Sequence, residues 1–251
     1  SGGRMKRISG LMIAIVLSAT PAWAVVSVVN HVIASTAAAS SLTTGTFTAT
    51  AGNTLVVLAC TKSDLGMTLT TSGSDTVTGI DAGNNTPALG TLYFSAFYNI
   101  AGGAGYSVTV TPGGGTPTLT LAVIELAGVP TSAVFDATAN VALANITPAN
   151  TTHASGSTGT LSQADEIAIA YICTNSVIAA TLTQDSGYTL SDSEVGLTKA
   201  VGGLAYKVVS ATTALSHTWT TDSSTGRNGV AGFIASAAAP SGNFFYRRRA
   251  Q

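Results

Sequence analysis

The chain has 251 residues, of which 45% are hydrophobic and 8% charged, and its formal net charge is −1. Charged residues make up about a quarter of ordinary domains, yet a mean hydropathy of +0.40 excludes the low-hydrophobicity, high-charge composition of disordered chains. Past the N-terminus the apolar residues are scattered among Thr, Ser, Gly and Ala, and no run approaches the length needed to span a bilayer.

The first element is a leader. Met5 opens "MKRISGLMIAIVLSATPAWA": Lys6 and Arg7 form a basic start, Leu11 to Leu17 an apolar stretch, and Ala22-Trp23-Ala24 a small-x-small cleavage site. That order of parts predicts a secretory signal peptide, with residues 1–4 as an added scar or upstream translated sequence and cleavage after Ala24. The expected localisation is therefore secreted, extracellular or periplasmic, without a transmembrane anchor. Loss of Arg4, Lys6 and Arg7 leaves 7 basic groups against 11 acidic. Arg247, Arg248 and Arg249 close the chain, so the body is more acidic still and has no electrostatic footprint for nucleic acid.

After the leader the signals are strands. In "YSVTVT", Tyr106, Val108 and Val110 alternate with Ser107, Thr109 and Thr111, which places the apolar set on one face. Clusters of Gly, Asn, Asp and Pro punctuate the runs: "DAGNNTP", "AGGAG", "PGGGTP" and "DSSTGRNG". The predicted class is all-β, an antiparallel sandwich or jelly roll with about seven short strands per half.

The chain also repeats itself. "NTLVVLACTKS" from Asn53 returns as "EIAIAYICTNS" from Glu166, and each copy carries one of the two cysteines, Cys60 and Cys173. "TGTFTATAGN" precedes the first and "TGTLSQADE" the second. Two tandem repeats with pseudo-twofold symmetry are expected, repeat 1 over 25–130 and repeat 2 over 131–238, packed as one unit and followed by a basic tail, 239–251. Both copies are apolar on both faces, which requires cover on both faces. The other repeat or a neighbouring subunit would supply it, so a homo-oligomer is one expected partner state. Whether residues 25–35 pair in their own sheet or are donated to a neighbour stays open.

An even cysteine count in an oxidising compartment suggests a Cys60–Cys173 disulfide. Two buried thiols packed as small apolar residues are the commoner arrangement, and the spacing fixes neither. His31, His153 and His217 show no metal-ligand spacing; His153 is expected in a loop, and His217 as a hydrogen-bonded core residue. No metal or other cofactor is expected. There is no GxSxG elbow and no phosphate-binding loop. Asp222–Gly229 reads as a solvated turn, since one carboxylate makes a poor calcium site. Glu125 is a carboxylate inside an apolar run and a candidate acid for a β-sandwich glycan hydrolase, but it lacks the facing partner such chemistry needs; a strand-end Glu that reaches solvent or pairs with a backbone amide is the preferred reading. Tyr188 and Trp219 are the candidate exposed rings for a sugar.

The succession "TFTATAGNTLVVLA", "YNIAGGAGYSVTV" and "VIELAGVPTSAVFDATA" resembles duplicated β-sandwich modules of bacterial secreted proteins and bacteriophage virion proteins, over about residues 30–237. The resemblance implies a structural, adhesive or glycan-contacting role and carries no active site. The leading expectation is a secreted, non-enzymatic surface or structural module used in adhesion, decoration or assembly. A carbohydrate-binding module for cell-surface glycan, a virion decoration or tail protein, and a glycan hydrolase are the alternatives.

Overall fold

The computed structural model describes residues 25–62, 65–75, 84–86, 90–136, 141–174, 181–195 and 201–236. The expected leader, 1–24, and the basic tail, 239–251, lie outside them. Among the described residues there is no helix. The strands of the N-terminal half are β1 (Ser27–Thr36), β2 (Leu42–Thr43), β3 (Phe47–Ala49), β4 (Thr54–Thr61), β5 (Met67–Thr71), β6 (Asn84–Thr86), β7 (Gly90–Phe97), β8 (Gly103–Tyr106), β9 (Val108–Pro112) and β10 (Leu119–Ala127). The C-terminal half contributes β11 (Val141–Thr160), β12 (Glu166–Thr174), β13 (Thr189–Glu194), β14 (Gly202–Val209) and β15 (Ala214–Phe233).

Two five-stranded antiparallel sheets organise the chain. Their strand orders are β1-β10-β4-β7-β6 and β11-β15-β12-β14-β13. Numbered along the chain within each sheet, both read first, last, second, fourth, third. A three-stranded sheet, β2-β9-β5, and a pair, β3-β8, complete the N-terminal half.

The double-faced apolar pattern of β4 and β12 now has its explanation. Every residue of both strands is buried. One face of β4 (Val56, Leu58, Cys60) packs into a common core with one face of β12 (Ile167, Ile169, Tyr171, Cys173). The other face of β4 (Leu55, Val57, Ala59) meets Tyr106, Val108 and Val110 from the small sheets. The other face of β12 (Ala168, Ala170, Ile172) meets Leu161, Tyr188, Leu215 and Trp219. The two large sheets thus form the middle of the molecule and cover one another, with an outer layer on each side. Each fully buried Leu, Val or Ile here is worth roughly 1.5–3 kcal/mol relative to exposure. The cover comes from within the chain, so these strands do not require a neighbouring subunit.

The halves differ in how the outer layer is made, and here the expectation of seven short strands in each is corrected. The N-terminal half breaks its chain at turns such as 113–118 and builds small separate sheets. The C-terminal half instead runs two strands of 20 residues, β11 and β15. Their distal parts, paired through His153↔Trp219, lie over the outer face of β12. Asp222–Gly229, expected as a turn, is part of β15, and His153, expected in a loop, is a strand residue. The ladder survives there because register shifts between Ile146 and Thr152 absorb the bend, while Cys173↔Arg227 and Thr174↔Gly226 hold the other side. Close approach at that crossing demands glycine: a Cβ on Gly226 would strike the Cys173 carbonyl and stand 2.6 Å from Thr174 Cα, both backbone and unable to yield.

Cys60 and Cys173 are joined by a disulfide, with Cα atoms 6.4 Å apart and a sequence separation of 113. It ties the two large sheets together through their shared core. The rim carries a second tie, in which His31 Nδ1 on β1 lies 2.9 Å from Asp192 Oδ2 on β13. β1 pairs with β10 of its own sheet, so residues 27–36 are held within the chain.

Candidate functional site

The residues with chemical potential fall into three groups: two rings with a histidine, and two buried carboxylate clusters. Their principal side chains are buried. Tyr188 and Trp219, expected as exposed sugar platforms, are 7% and 0% exposed, and that expectation is corrected. Both rings close on His217. Tyr188 meets the imidazole edge-on at 4.5 Å between centroids, and Trp219 at 4.6 Å. The reason is the strand period: Leu215, His217 and Trp219 share the inward side of β15, and the segment leading into β13 lays Tyr188 over them. The Tyr188 hydroxyl donates to the Ser216 carbonyl at 3.3 Å, and the Lys207 ammonium lies 5.2 Å from the ring centroid, so the ring's outer face is taken as well.

His217 is the buried core histidine that its position predicts. The Asp185 amide donates to its Nε2 at 3.3 Å, which assigns the ring proton to Nδ1. Burial depresses its pKa to about 4, opposed by Asp185 and helped by Lys207. Burial raises Tyr188 to about 12, with Asp185 adding to the effect. The stack is therefore neutral across the physiological range. His153 is buried too, with its pKa lowered by burial and its Nε2 2.7 Å from the Thr221 hydroxyl. Among the described residues no group of three His, Cys, Asp or Glu stands close enough to hold a metal ion.

Glu125 lies on β10 and is fully buried. Its Oε1 accepts from the Thr50 amide at 2.9 Å and Asn53 Nδ2 at 2.6 Å, and its Oε2 from Asn30 Nδ2 at 2.7 Å. These donors come from the strand beside β10 and from the turn that feeds β4. The carboxylate is an anchor for that turn, with its oxygens committed. Substituting Glu125→Gln turns one oxygen into a donor facing a donor. We expect a loss of about 1–3 kcal/mol of stability, the cost of a buried mismatched polar group, read by urea denaturation. Retained polysaccharide hydrolysis in a folded Glu125→Gln protein would dispose of the hydrolase alternative that assigns it the acid.

The C-terminal half has its own buried carboxylates. Glu166 opens β12 and Asp136 ends the connector between the halves; they are 0% and 4% exposed. Glu166 Oε1 accepts from the Gln163 amide at 3.2 Å and the Ser162 hydroxyl at 3.4 Å. Asp136 Oδ2 accepts from the Ser162 amide at 2.6 Å. Burial first, and then the facing Asp136, raise the Glu166 pKa to about 7. Sequence reasoning misses this pair, because Asp136 and Glu166 are distant in sequence and Glu166 reads as a polar lead-in to its strand.

The two clusters sit at corresponding places. Thr50 and Gln163 lie 113 residues apart, the separation of the cysteines, and each gives its amide to a buried carboxylate. Gly52 and Asp165, at the same spacing, both take left-handed φ values, 85° and 63°; Asp tolerates that region better than most residues. The carboxylate arrives from different strands, Glu125 from β10 and Glu166 from β12. Gly232 on β15 pairs with Ala168 as Glu125 on β10 pairs with Leu55. A Cβ on Gly232 would stand 2.8 Å from Glu166 Oε2. The missing side chain leaves the room that the Glu166 carboxyl fills.

No family model, curated protein or solved structure matches the chain.

Proposed function

We propose that the protein is a secreted, non-enzymatic surface module: an internally duplicated β scaffold that decorates or builds an extracellular or periplasmic surface. The observation that carries this reading is the Cys60–Cys173 disulfide, which crosses the core shared by the two large sheets. Disulfides persist in oxidising compartments and are rare in the cytosol, in keeping with the leader-like sequence before Val25. Duplication is supported by the equal strand orders and by the cysteines, turn amides and left-handed residues recurring at one spacing. A scaffold role fits the use of the acids, since Glu125, Glu166 and Asp136 all tie down loops. Low surface charge suits contact by strand edges and Thr- and Ser-rich faces. The carbohydrate-binding alternative loses both of its proposed rings to the core.

The test is to express the chain from Met5 in a bacterium that secretes through the general pathway, then determine the N-terminus, thiol content and cell fraction of the product. We expect Val25 as the first residue, no free thiol, and recovery outside the cytoplasm. An uncleaved, reduced, cytoplasmic product that folds and persists would overturn the proposal.

A further inference from the structure

The region around Asp136 joins three segments that are otherwise far apart in sequence. The connector 129–136 runs between the halves. Residues 161–165 lead into β12. Residues 232–236 are the last described stretch of the chain. Asp136 donates its amide to the Gly232 carbonyl at 3.1 Å, Ile234 to the Val134 carbonyl at 2.9 Å, and Ser236 to the Gly128 carbonyl at 2.8 Å. Gln163 Nε2 donates to the Ala235 carbonyl at 3.1 Å. Between these segments lie the carboxyls of Asp136 and Glu166. Glu166 Oε2 is sealed from solvent and receives no N–H or O–H from the described residues. Two acids that interact in so buried a place resist being ionised together.

We infer that Asp136 and Glu166 form a proton-dependent latch, which holds the connector, the lead-in of β12 and the segment 232–236 together while the pair keeps one proton and loosens them when that proton passes to solvent. The neighbouring charges do not rescue the dianion. Asp165, in the same loop, is exposed and is an acid, not a cation. On β14, Lys207 is engaged over the Tyr188 ring. On β15, His217 is neutral, and Arg227 pairs with Cys173, on the inter-sheet side of the strand. The raised pKa of Glu166 agrees with this placement and sets the working range near neutrality. Opening would release segment 232–236 from the connector, to which Ile234 and Ser236 donate their amides. An acid-closed, alkali-loosened junction between the halves is a regulatory property that the scaffold reading does not require.

Hydrogen exchange followed by mass spectrometry on the mature chain tests it. Exchange in peptides covering 129–136, 161–166 and 232–236 is compared at pH 5.5 and pH 8, corrected for intrinsic rates and normalised to β4 and β10. We expect protection of all three segments to fall at least tenfold at pH 8, and to stay constant in Glu166→Gln, which keeps a neutral group of the same shape. Asp136→Asn, which removes the facing charge, should likewise be insensitive to pH and guards against a folding defect in the first variant. Equal protection at both pH values in the wild type would overturn the latch. So would an undiminished loss at pH 8 in the variants. Failure of secretion would leave this result untouched, and the reverse holds too.

Discussion

Replacing both Cys60 and Cys173 with Ala should cost about 4–5 kcal/mol, because the bridge closes a loop of over a hundred residues in the unfolded chain. The cysteines are 113 residues apart, so few other single bonds could restrict the denatured ensemble as much. The native state itself gives up less: two sulfur atoms in a core otherwise filled by Val56, Leu58, Ile169 and Tyr171. Urea unfolding of the double variant, with free energies extrapolated to water, gives the number. The unfolded chain without the bridge is more expanded, so its m-value should rise as stability falls. Cys60 and Cys173 are 4% and 1% exposed, and a reductant should therefore reach them only through unfolding. Rapid reduction under native conditions would mean that the two sheets part locally. A loss below about 1 kcal/mol would mean that apolar clustering already keeps the reduced unfolded chain compact.

What the sequence reveals of this fold, and what it hides, follows from the range of each signal. Alternation along "YSVTVT" is local and reports β9 directly. The doubly apolar runs at Leu55 and Ile167 state that both faces are covered, but a burial pattern cannot say by what; between the large sheets the cover is the matching strand of the other half. The turn signals mislead at Asp222–Gly229. Asp, Ser and Gly lower the intrinsic strand preference there, and pairing to β11 on one side and β12 on the other overrides it. Tyr188 and Trp219 mislead for a related reason. An aromatic flanked by polar residues reads as exposed, yet Tyr188 is buried by a histidine and a tryptophan from a strand nearly 30 residues further on. Glu125 is legible as a structural acid because an isolated carboxylate in an apolar run has few ways to exist, but the sequence leaves open whether it reaches solvent or an amide. Its counterpart is not, since the second carboxyl comes from another strand and its space from a glycine.

The pH dependence of stability should show a plateau made of two opposed slopes. His217 is held at about 4 in the folded state against an ordinary 6.5. Above 6.5 it is neutral whether folded or not and costs nothing; as pH falls from 6.5 to 4 the unfolded chain takes up a proton the folded chain refuses, and stability drops. Glu166 is held at about 7 against an ordinary 4.5. Below 4.5 it is protonated in both states; as pH rises from 4.5 to 7 the unfolded chain releases a proton the folded chain keeps, and stability again drops. Between 4.5 and 6.5 the two effects run in opposite directions with nearly equal slopes, so their sum is flat. Each is worth about 1–3 kcal/mol over its range, the figure being reduced for partial solvation. Glu166→Gln should therefore expose the histidine slope, with stability rising between pH 4.5 and 6.5 relative to the wild type. His217→Phe, which keeps a ring between Tyr188 and Trp219, should expose the carboxyl slope and make stability fall over the same interval. Denaturation curves of the three proteins at half-unit steps measure the differences, in which the other titrating groups cancel. Parallel curves would mean that neither group is held away from its ordinary pKa. A slope lost in only one variant would assign the shift to that residue alone. If both slopes appear, the plateau spans the acidic range and stability declines from pH 6.5 to about 7, the interval over which the Asp136–Glu166 pair gives up its proton.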